Sequence, residues 1–157
     1  MLDTGATAMI GLLQRVSSAK VEIGGEVVGA IGRGLMVLVG VERGDTEREG
    51  DRLIERLIGY RVFSDADRKL NLSVADIGGG LLLVPQFTLP ADTRKGARPS
   101  LSRAAPPDIG RRRFEHLVVR ARASHPVVET GRFGANMQVT LTNDGPITFT
   151  LRVAPPA

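Results

Sequence analysis

From Gln86 to Ser102 the sequence QFTLPADTRKGARPSLS gathers Gln86, Thr88, Asp92, Thr93, Arg94, Lys95, Arg98, Ser100 and Ser102 within 17 residues. Amide, hydroxyl and guanidinium groups carried on a loop off a rigid strand end are suited to holding a polar or anionic ligand. Gln86 and Thr88 are two residues apart, so on an extended strand end they share a face. A polar surface loop has the same composition, and these residues alone leave both readings open. The signatures of other chemistries are missing. There is no Walker loop and no Gly-x-Ser-x-Gly elbow, and Gly29, Gly32 and Gly34 precede a strand instead of following one, which is not the dinucleotide pattern. The chain has no cysteine, so thiolate chemistry and disulfides are excluded. His116 and His125 fall on or just after a helix with no third ligand at metal spacing. A hydrolase built from this chain would work without a side-chain triad, and neither a metal nor a cofactor is expected.

A second stretch, TNDGPITF from Thr142 to Phe149, poses a structural question. Asp144-Gly145 between two alternating runs predicts the tip of a β-hairpin, yet Pro146 follows where a return strand normally needs an N–H. A residue without a donor there is either punctuation or part of a site.

The elements that must position these stretches follow from periodicity. Ile10 to Val16, Ala19 to Ile23 and Glu26 to Ile31 read as strands, with Gly24-Gly25 turning the chain. Leu35 to Val41 is a continuous apolar run short enough for a strand buried on both faces. Asp45 or Thr46 caps a helix running to about Gly59, with Leu53, Ile54, Leu57 and Ile58 as its apolar stripe. SDADRK reads as a loop, and Leu81 to Val84 as a buried strand. Pro106-Pro107-Asp108 opens a second helix with Phe114, Leu117, Val118 and Ala121 on one face. Two alternating strands close the chain, Met137 to Thr142 and Ile147 to Val153. The fold expected is α+β: mostly antiparallel β-sheets in barrel-like β/β/α layers, with two main helices.

With 157 residues the chain is long enough for one domain with a real core. Residues 1–8 read as a loose extension or start-site artefact, with Met9 able to serve as the natural start. Residues 9–153 read as the domain and 154–157 as a tail. No apolar run approaches a membrane span, and the first residues lack the basic and apolar regions of a signal peptide; a cytoplasmic protein is expected. The formal charge of +4 is unevenly spread: residues 94–122 hold nine Lys or Arg against Asp108 and Glu115, leaving −3 on the rest. A basic segment on a slightly acidic protein fits an anionic partner such as nucleic acid, although an arginine-rich solvated helix face would read the same. With five Phe, one Tyr and no Trp, a binder that stacks single-stranded bases on a row of rings is disfavoured.

LLQRVSSAKVEI, GEVVGAIGRGLMVLVGVERGDT, KLNLSVADIGGGLLLVPQFTLPADTRKGARPS, AAPP, VETGRFGANMQV and LTNDGPIT occur in this order. Together they resemble the D-aminoacyl-tRNA deacylase family, from about Met9 to Val153. The resemblance implies a homodimer that hydrolyses the ester joining a D-amino acid to tRNA, and that also clears glycine from mischarged tRNA. It implies no membrane or DNA partner. The family's Asn-x-Gly-Pro-x-Thr motif is intact as Asn143, Gly145, Pro146 and Thr148. There the Gly-Pro bond is cis and reaches into the other subunit's site, where its backbone would reject an L side chain. Catalysis in the family leans on the substrate's own 2′-OH and on backbone groups.

By the same resemblance Gln86, Phe87 and Thr88 line the catalytic pocket, with Thr88 positioning rather than attacking. Met137 lies near the terminal adenosine, and Arg15 braces the Gly-Pro loop; a purely structural ion pair is the other reading of Arg15. Arg94, Lys95 and Arg98 are the expected tRNA contacts. One departure stands out: Pro85 replaces the family's usual serine. An animal relative that removes L-alanine from tRNA has Pro-Gln there but follows with alanine, where this chain keeps Phe87. A relaxed editor of L-alanyl-tRNA and a catalytically silent tRNA-binding relative are therefore the competing readings.

Overall fold

The computed structural model describes residues 8–155. The expected extension thus lies outside the described residues except for Ala8, which is buried, and the end of the expected tail lies outside them too. The chain forms β1 (Met9–Ile23), β2 (Glu26–Ile31), β3 (Gly34–Gly40), α1 (Glu47–Gly59), β4 (Phe63–Ser64), β5 (Leu70–Leu72), β6 (Gly80–Pro85), α2 (Pro107–Ser124), β7 (Val128–Thr130) and β8 (Gln138–Val153). It is an α+β fold with two helices on a mixed, barrel-like sheet.

The order β2-β1-β3-β6-β7 runs across the main sheet, and β8 pairs with β1. β1 is antiparallel to β2, β3 and β8, while β3–β6 and β6–β7 are parallel. The expectation of mostly antiparallel sheets holds for the β1 half only. The reason is connectivity: α1 intervenes between β3 and β6 and α2 between β6 and β7, and a parallel neighbour needs such a crossover. Gly29 closes the curl, since a Cβ there would lie 2.7 Å from the Thr130 carbonyl oxygen, so the β2 and β7 backbones nearly touch. Gly24 and Gly25, at φ of 58° and 81°, supply the two left-handed positions of the tight turn from β1 to β2.

Alternation along the central strands feeds two cores. Leu35, Val37, Val39, Leu81 and Leu83 join Leu53, Ile54 and Leu57 of α1 and Phe114, Leu117 and Ala121 of α2. Met36, Leu82 and Val84 point the other way, to Val16, Ala19, Val21 and Ile31 inside the curl. α1 starts at Thr46, whose N–H donates to Glu49 Oε1 at 2.7 Å in a capping box. No helix of the described residues is long and apolar enough to cross a membrane.

Three expectations are corrected. Ile10 to Val16 and Ala19 to Ile23 are one strand, and the expected SDADRK loop holds for residues 65–69 only, as the connection of a short β4–β5 hairpin whose first strand takes in Ser64. The third correction bears on the site. Residues 138–153 form one strand, and both halves pair with β1 instead of with each other. Asp144-Gly145 is therefore no hairpin tip. Val16 faces Asn143 and Gln14 faces Thr148, so residues 144–147 bulge out opposite Arg15 alone. At this bulge the ribbon changes core: Leu13, Ile147 and Leu151 face the helices, whereas Val16, Val139 and Leu141 face the curl.

Candidate active site

β6 ends at Pro85, and the chain turns at once. The Gln86 amide donates to the Val39 carbonyl at 2.8 Å, and the Leu89 amide to the Gln86 carbonyl at 3.2 Å. Residues 86–89 are thus a β-turn with Phe87 and Thr88 at its two central positions. The turn lies against the end of β3, where Gly40 is needed because a Cβ would meet Leu89 Cβ at 2.9 Å. The Gln86 side chain donates from Nε2 to Thr88 Oγ1 at 3.0 Å, so the amide and hydroxyl do meet, but across a turn and not on the extended strand end that the spacing suggested. The Phe87 and Thr88 backbone amides have no hydrogen-bond acceptor among the described residues.

Pro85 fits its place for a reason visible in the ladder. Since Gln86 donates toward β3, alternation turns the nitrogen of Pro85 toward β7. The Gly131 amide still donates to the Leu83 carbonyl at 2.9 Å, so the β6–β7 ladder stops where Pro85 supplies no donor, at a strand end where proline is tolerated.

The turn forms one wall of a cleft of about 620 Å³, a size suited to a small organic group. Met137 and Val84 line it from the curl side, Ala104 to Pro107 from the start of α2, and Phe133 to Ala135 from the loop before β8. Its few polar side chains are Arg43, Gln86 and Thr88. Resemblance picked out Gln86, Phe87, Thr88 and Met137, and the structure brings these four together. Phe133, Gly134 and the 104–107 wall were missed as site residues; the available signal was that AAPP and VETGRFGANMQV are among the segments that carry the resemblance.

The 104–107 wall is pinned from below. Ala105 N–H donates to the Val41 carbonyl, Arg43 N–H to the Arg103 carbonyl, and Arg43 Nε to the Ser102 carbonyl at 2.6 Å. Beneath this turn Asp45 is buried, accepting the Glu42 amide at 2.7 Å. Burial pushes its carboxyl up to about 7, against the lowering effect of that backbone hydrogen bond.

Arg15, Gly145 and Pro146 lie elsewhere. Neither Gly145 nor Pro146 lines the cleft of its own chain; about eight residues of strand, roughly 25 Å, separate Gly145 from Met137. The Gly145–Pro146 peptide is cis, and both residues are exposed. The bulge is held from within. The Ile147 amide donates to Asn143 Oδ1 at 2.7 Å, and Asn143 Nδ2 to Thr148 Oγ1 at 2.8 Å. Arg15 Nε donates to the Asp144 carbonyl at 2.8 Å and its Nη1 to the Val62 carbonyl at 3.1 Å. Gly145 takes φ of 137°, and a Cβ on it would meet Ile147 Cγ1 at 2.8 Å, so the motif's glycine, asparagine and threonine each have a structural task.

The basic loop is built on a small bridge between Asp92 and Ser100, with two backbone hydrogen bonds of 2.8 Å. Arg94 turns back onto Asp92, Nη2 to Oδ2 at 2.7 Å, and holds that carboxyl well below the usual range. Lys95 and Arg98 are exposed with no ion pair among the described residues. Neither histidine faces the cleft: His116 Nε2 meets Asp51 between the helices at 2.8 Å, and buried His125 Nε2 meets the Gly79 carbonyl at 2.7 Å.

The family whose model matches this chain, over residues 12–152, is described as D-Tyr-tRNA(Tyr) deacylase. A D-aminoacyl-tRNA deacylase of Paracidovorax citrulli is 65% identical over 148 residues, covering 94% of this chain and 96% of that one. Among solved structures, a c-Myc DNA unwinding element binding protein superposes with a TM-score of 0.87 at 36% identity, over 94% of this chain and 99% of that one. A second, from a study entitled "Structural Analysis of a probable eukaryotic D-amino acid tRNA deacylase", gives 0.81 at 17% identity, over 94% and 100%, and speaks to the fold alone.

Proposed function

The chain belongs to the D-Tyr-tRNA(Tyr) deacylase family, and from that premise we propose that it hydrolyses the ester of D-aminoacyl-tRNA, and of glycine mischarged on tRNA, in the cytoplasm by backbone groups and the substrate's own ribose. One observation carries the mechanism: the Phe87 and Thr88 amides have no acceptor among the described residues, at a turn on the rim of a largely apolar cleft. Two adjacent N–H groups aimed at the cleft stabilise the oxyanion that forms when water adds to the ester carbonyl. The 2′-OH takes the proton that the attacking water loses and gives its own to the 3′ oxygen as the acyl C–O bond breaks, giving free amino acid and a tRNA with its 3′-OH restored. Gln86 holds Thr88, which positions the substrate, and Met137 packs near the terminal adenosine.

Chirality is read by the Gly145–Pro146 bulge of a second subunit. Within one chain this bulge faces away from the cleft, on a 16-residue strand whose outer edge has no partner among the described residues. Such an edge is a ready pairing surface, and a two-fold dimer would place each bulge over the partner's cleft. Backbone atoms held by Arg15 and Asn143 then stand where an L side chain would project. Pro85 stands at a strand end outside the bulge and leaves this selectivity intact.

Incubation of the purified protein with D-Tyr-tRNA, L-Tyr-tRNA, Gly-tRNA and L-Ala-tRNA tests the reading. D-Tyr-tRNA and Gly-tRNA should be cleaved and both L substrates spared. L-Ala-tRNA cleaved as fast as Gly-tRNA would make this a relaxed editor; no cleavage of any would make it a silent binder.

A further inference from the structure

Beside the cleft lies a second concavity, an open groove of about 670 Å³ along α2 that shares Phe133, Gly134 and Ala135 with it. Three arginines converge there from separate parts of the chain: Arg111 and Arg122 from α2, and Arg132 from the loop after β7. Arg111 and Arg122 are eleven residues apart, close to three full turns, so they lie on one face about 16 Å apart along the axis. Glu115 is the acid in the lining, leaving it net positive.

Three other arginines of the basic segment are engaged. Arg112 faces Asp108 at 3.7 Å, Arg113 donates to the Asp45 carbonyl at 3.1 Å, and Arg94 holds Asp92. In contrast, Arg122 and Arg132 have no side-chain hydrogen bond or ion pair among the described residues, and Arg111 stacks its guanidinium 5.3 Å from the Phe133 ring centre. Arg122, in the last turn of α2, also complements the helix dipole, but that does not account for Arg132, which comes from a different segment.

We propose that this groove is the seat of the tRNA acceptor stem, with Arg122 and Arg132 contacting backbone phosphates while the 3′ end turns over Phe133 into the cleft. The inference rests on the deacylase reading for its choice of RNA. Phosphates spaced along a duplex match guanidinium groups spaced along a helix face, and contacts of this type read shape and charge rather than sequence. That suits an editor that meets many tRNAs. The Phe133–Ala135 lip is the passage between stem and ester.

The test uses the full chain carrying Arg122→Gln and Arg132→Gln together. Binding of uncharged tRNA should lose salt dependence, the slope of log K against log salt shrinking by about 1.4–1.8 for two contacts. Deacylation of full-length D-Tyr-tRNA should show KM raised about tenfold with little change in kcat, the loss confined to substrates carrying the stem; a D-tyrosylated CCA trinucleotide lacks it. Arg122→Lys with Arg132→Lys should restore the slope, since a point charge suffices for a phosphate. An unchanged slope, or equal losses on tRNA and trinucleotide, would overturn the proposal. If the deacylase reading itself fails, no substrate is cleaved by the unaltered protein, whereas the binding slope still reports on the groove.

Discussion

The turn after β6 and the bulge in β8 both interrupt a strand, and both are tied to their own chain by short hydrogen bonds. They differ in what surrounds them. The Gln86–Thr88 turn borders concave ground: it sits over Gly40, shares a cleft with Phe133 and Met137, and leaves two amides without acceptors among the described residues. The Gly145–Pro146 bulge is convex, exposed, and internally satisfied through Asn143 and Arg15. One region offers unmet donors and the other a preformed shape, which is why we place the proposed chemistry on the first and the proposed discrimination on the second. Among the described residues of one chain, neither Gly145 nor Pro146 lines the cleft.

The largest effect should come from removing a cleft amide. Phe87 is the second residue of its turn, where proline is well tolerated, so Phe87→Pro deletes one N–H with little other change. A loss of about 10²–10³ in kcat is expected, with Phe87→Ala far milder because the amide remains. Equal rates for the two variants would remove the amide from the mechanism. Thr88→Ala comes next: it breaks the 3.0 Å bond from Gln86, worth ~0.5–1.5 kcal/mol, so a loss of up to roughly tenfold is expected. Complete inactivity together with normal cleavage of a 2′-deoxy-terminated substrate would instead make Thr88 the nucleophile.

Two smaller effects concern what supports the cleft. Lys95→Ala and Arg98→Ala should each lower the salt slope of tRNA binding by about 0.7–0.9, whereas Arg94→Ala should lower it less because Arg94 is held by Asp92. The opposite ranking would detach the basic loop from the RNA. Asp45, under the pinned wall, titrates near 7 when folded against an ordinary 3.8. Between these values the folded chain binds the extra proton, so this group's stabilising contribution is full below about 4 and is lost as pH rises through about 7. Asp45→Asn should flatten the fall in melting temperature across that window; an unaltered profile would show that another group sets it.

Both helices were legible in the sequence because cap and stripe coincide: Thr46 with Leu53, Ile54 and Leu57, and Pro107 with Phe114, Leu117 and Ala121. The bulge was misread for a physical reason. Alternation on either side of Asp144-Gly145 is the same whether the strand folds back or continues, and only pairing with distant β1 decides. β7, with three residues, is too short to show a period. Within the site, local chemistry pointed to Gln86 and Thr88, while Met137, Arg15 and Pro146 could be assigned roles only through resemblance. Phe133 and the 104–107 wall reach the cleft from segments whose spacing carries no local signal.

Complementation between two damaged chains tests most directly whether cleft and bulge act across a dimer. One partner carries Phe87→Pro with an intact bulge; the other carries Gly145→Ala and Pro146→Ala with an intact cleft, light scattering first establishing that each forms a dimer. After the two are unfolded and refolded together, half the dimers are mixed, and each mixed dimer holds one site with both elements whole. The bulge-damaged chain alone should cleave both D-Tyr-tRNA and L-Tyr-tRNA; after co-refolding, half of the intact clefts face an intact bulge, so L-Tyr-tRNA cleavage should fall to about half that of the same two chains refolded separately and then combined, with D-Tyr-tRNA cleavage unchanged. L-Tyr-tRNA cleavage that co-refolding leaves unaltered, or a fully active and selective monomer, would contradict the account.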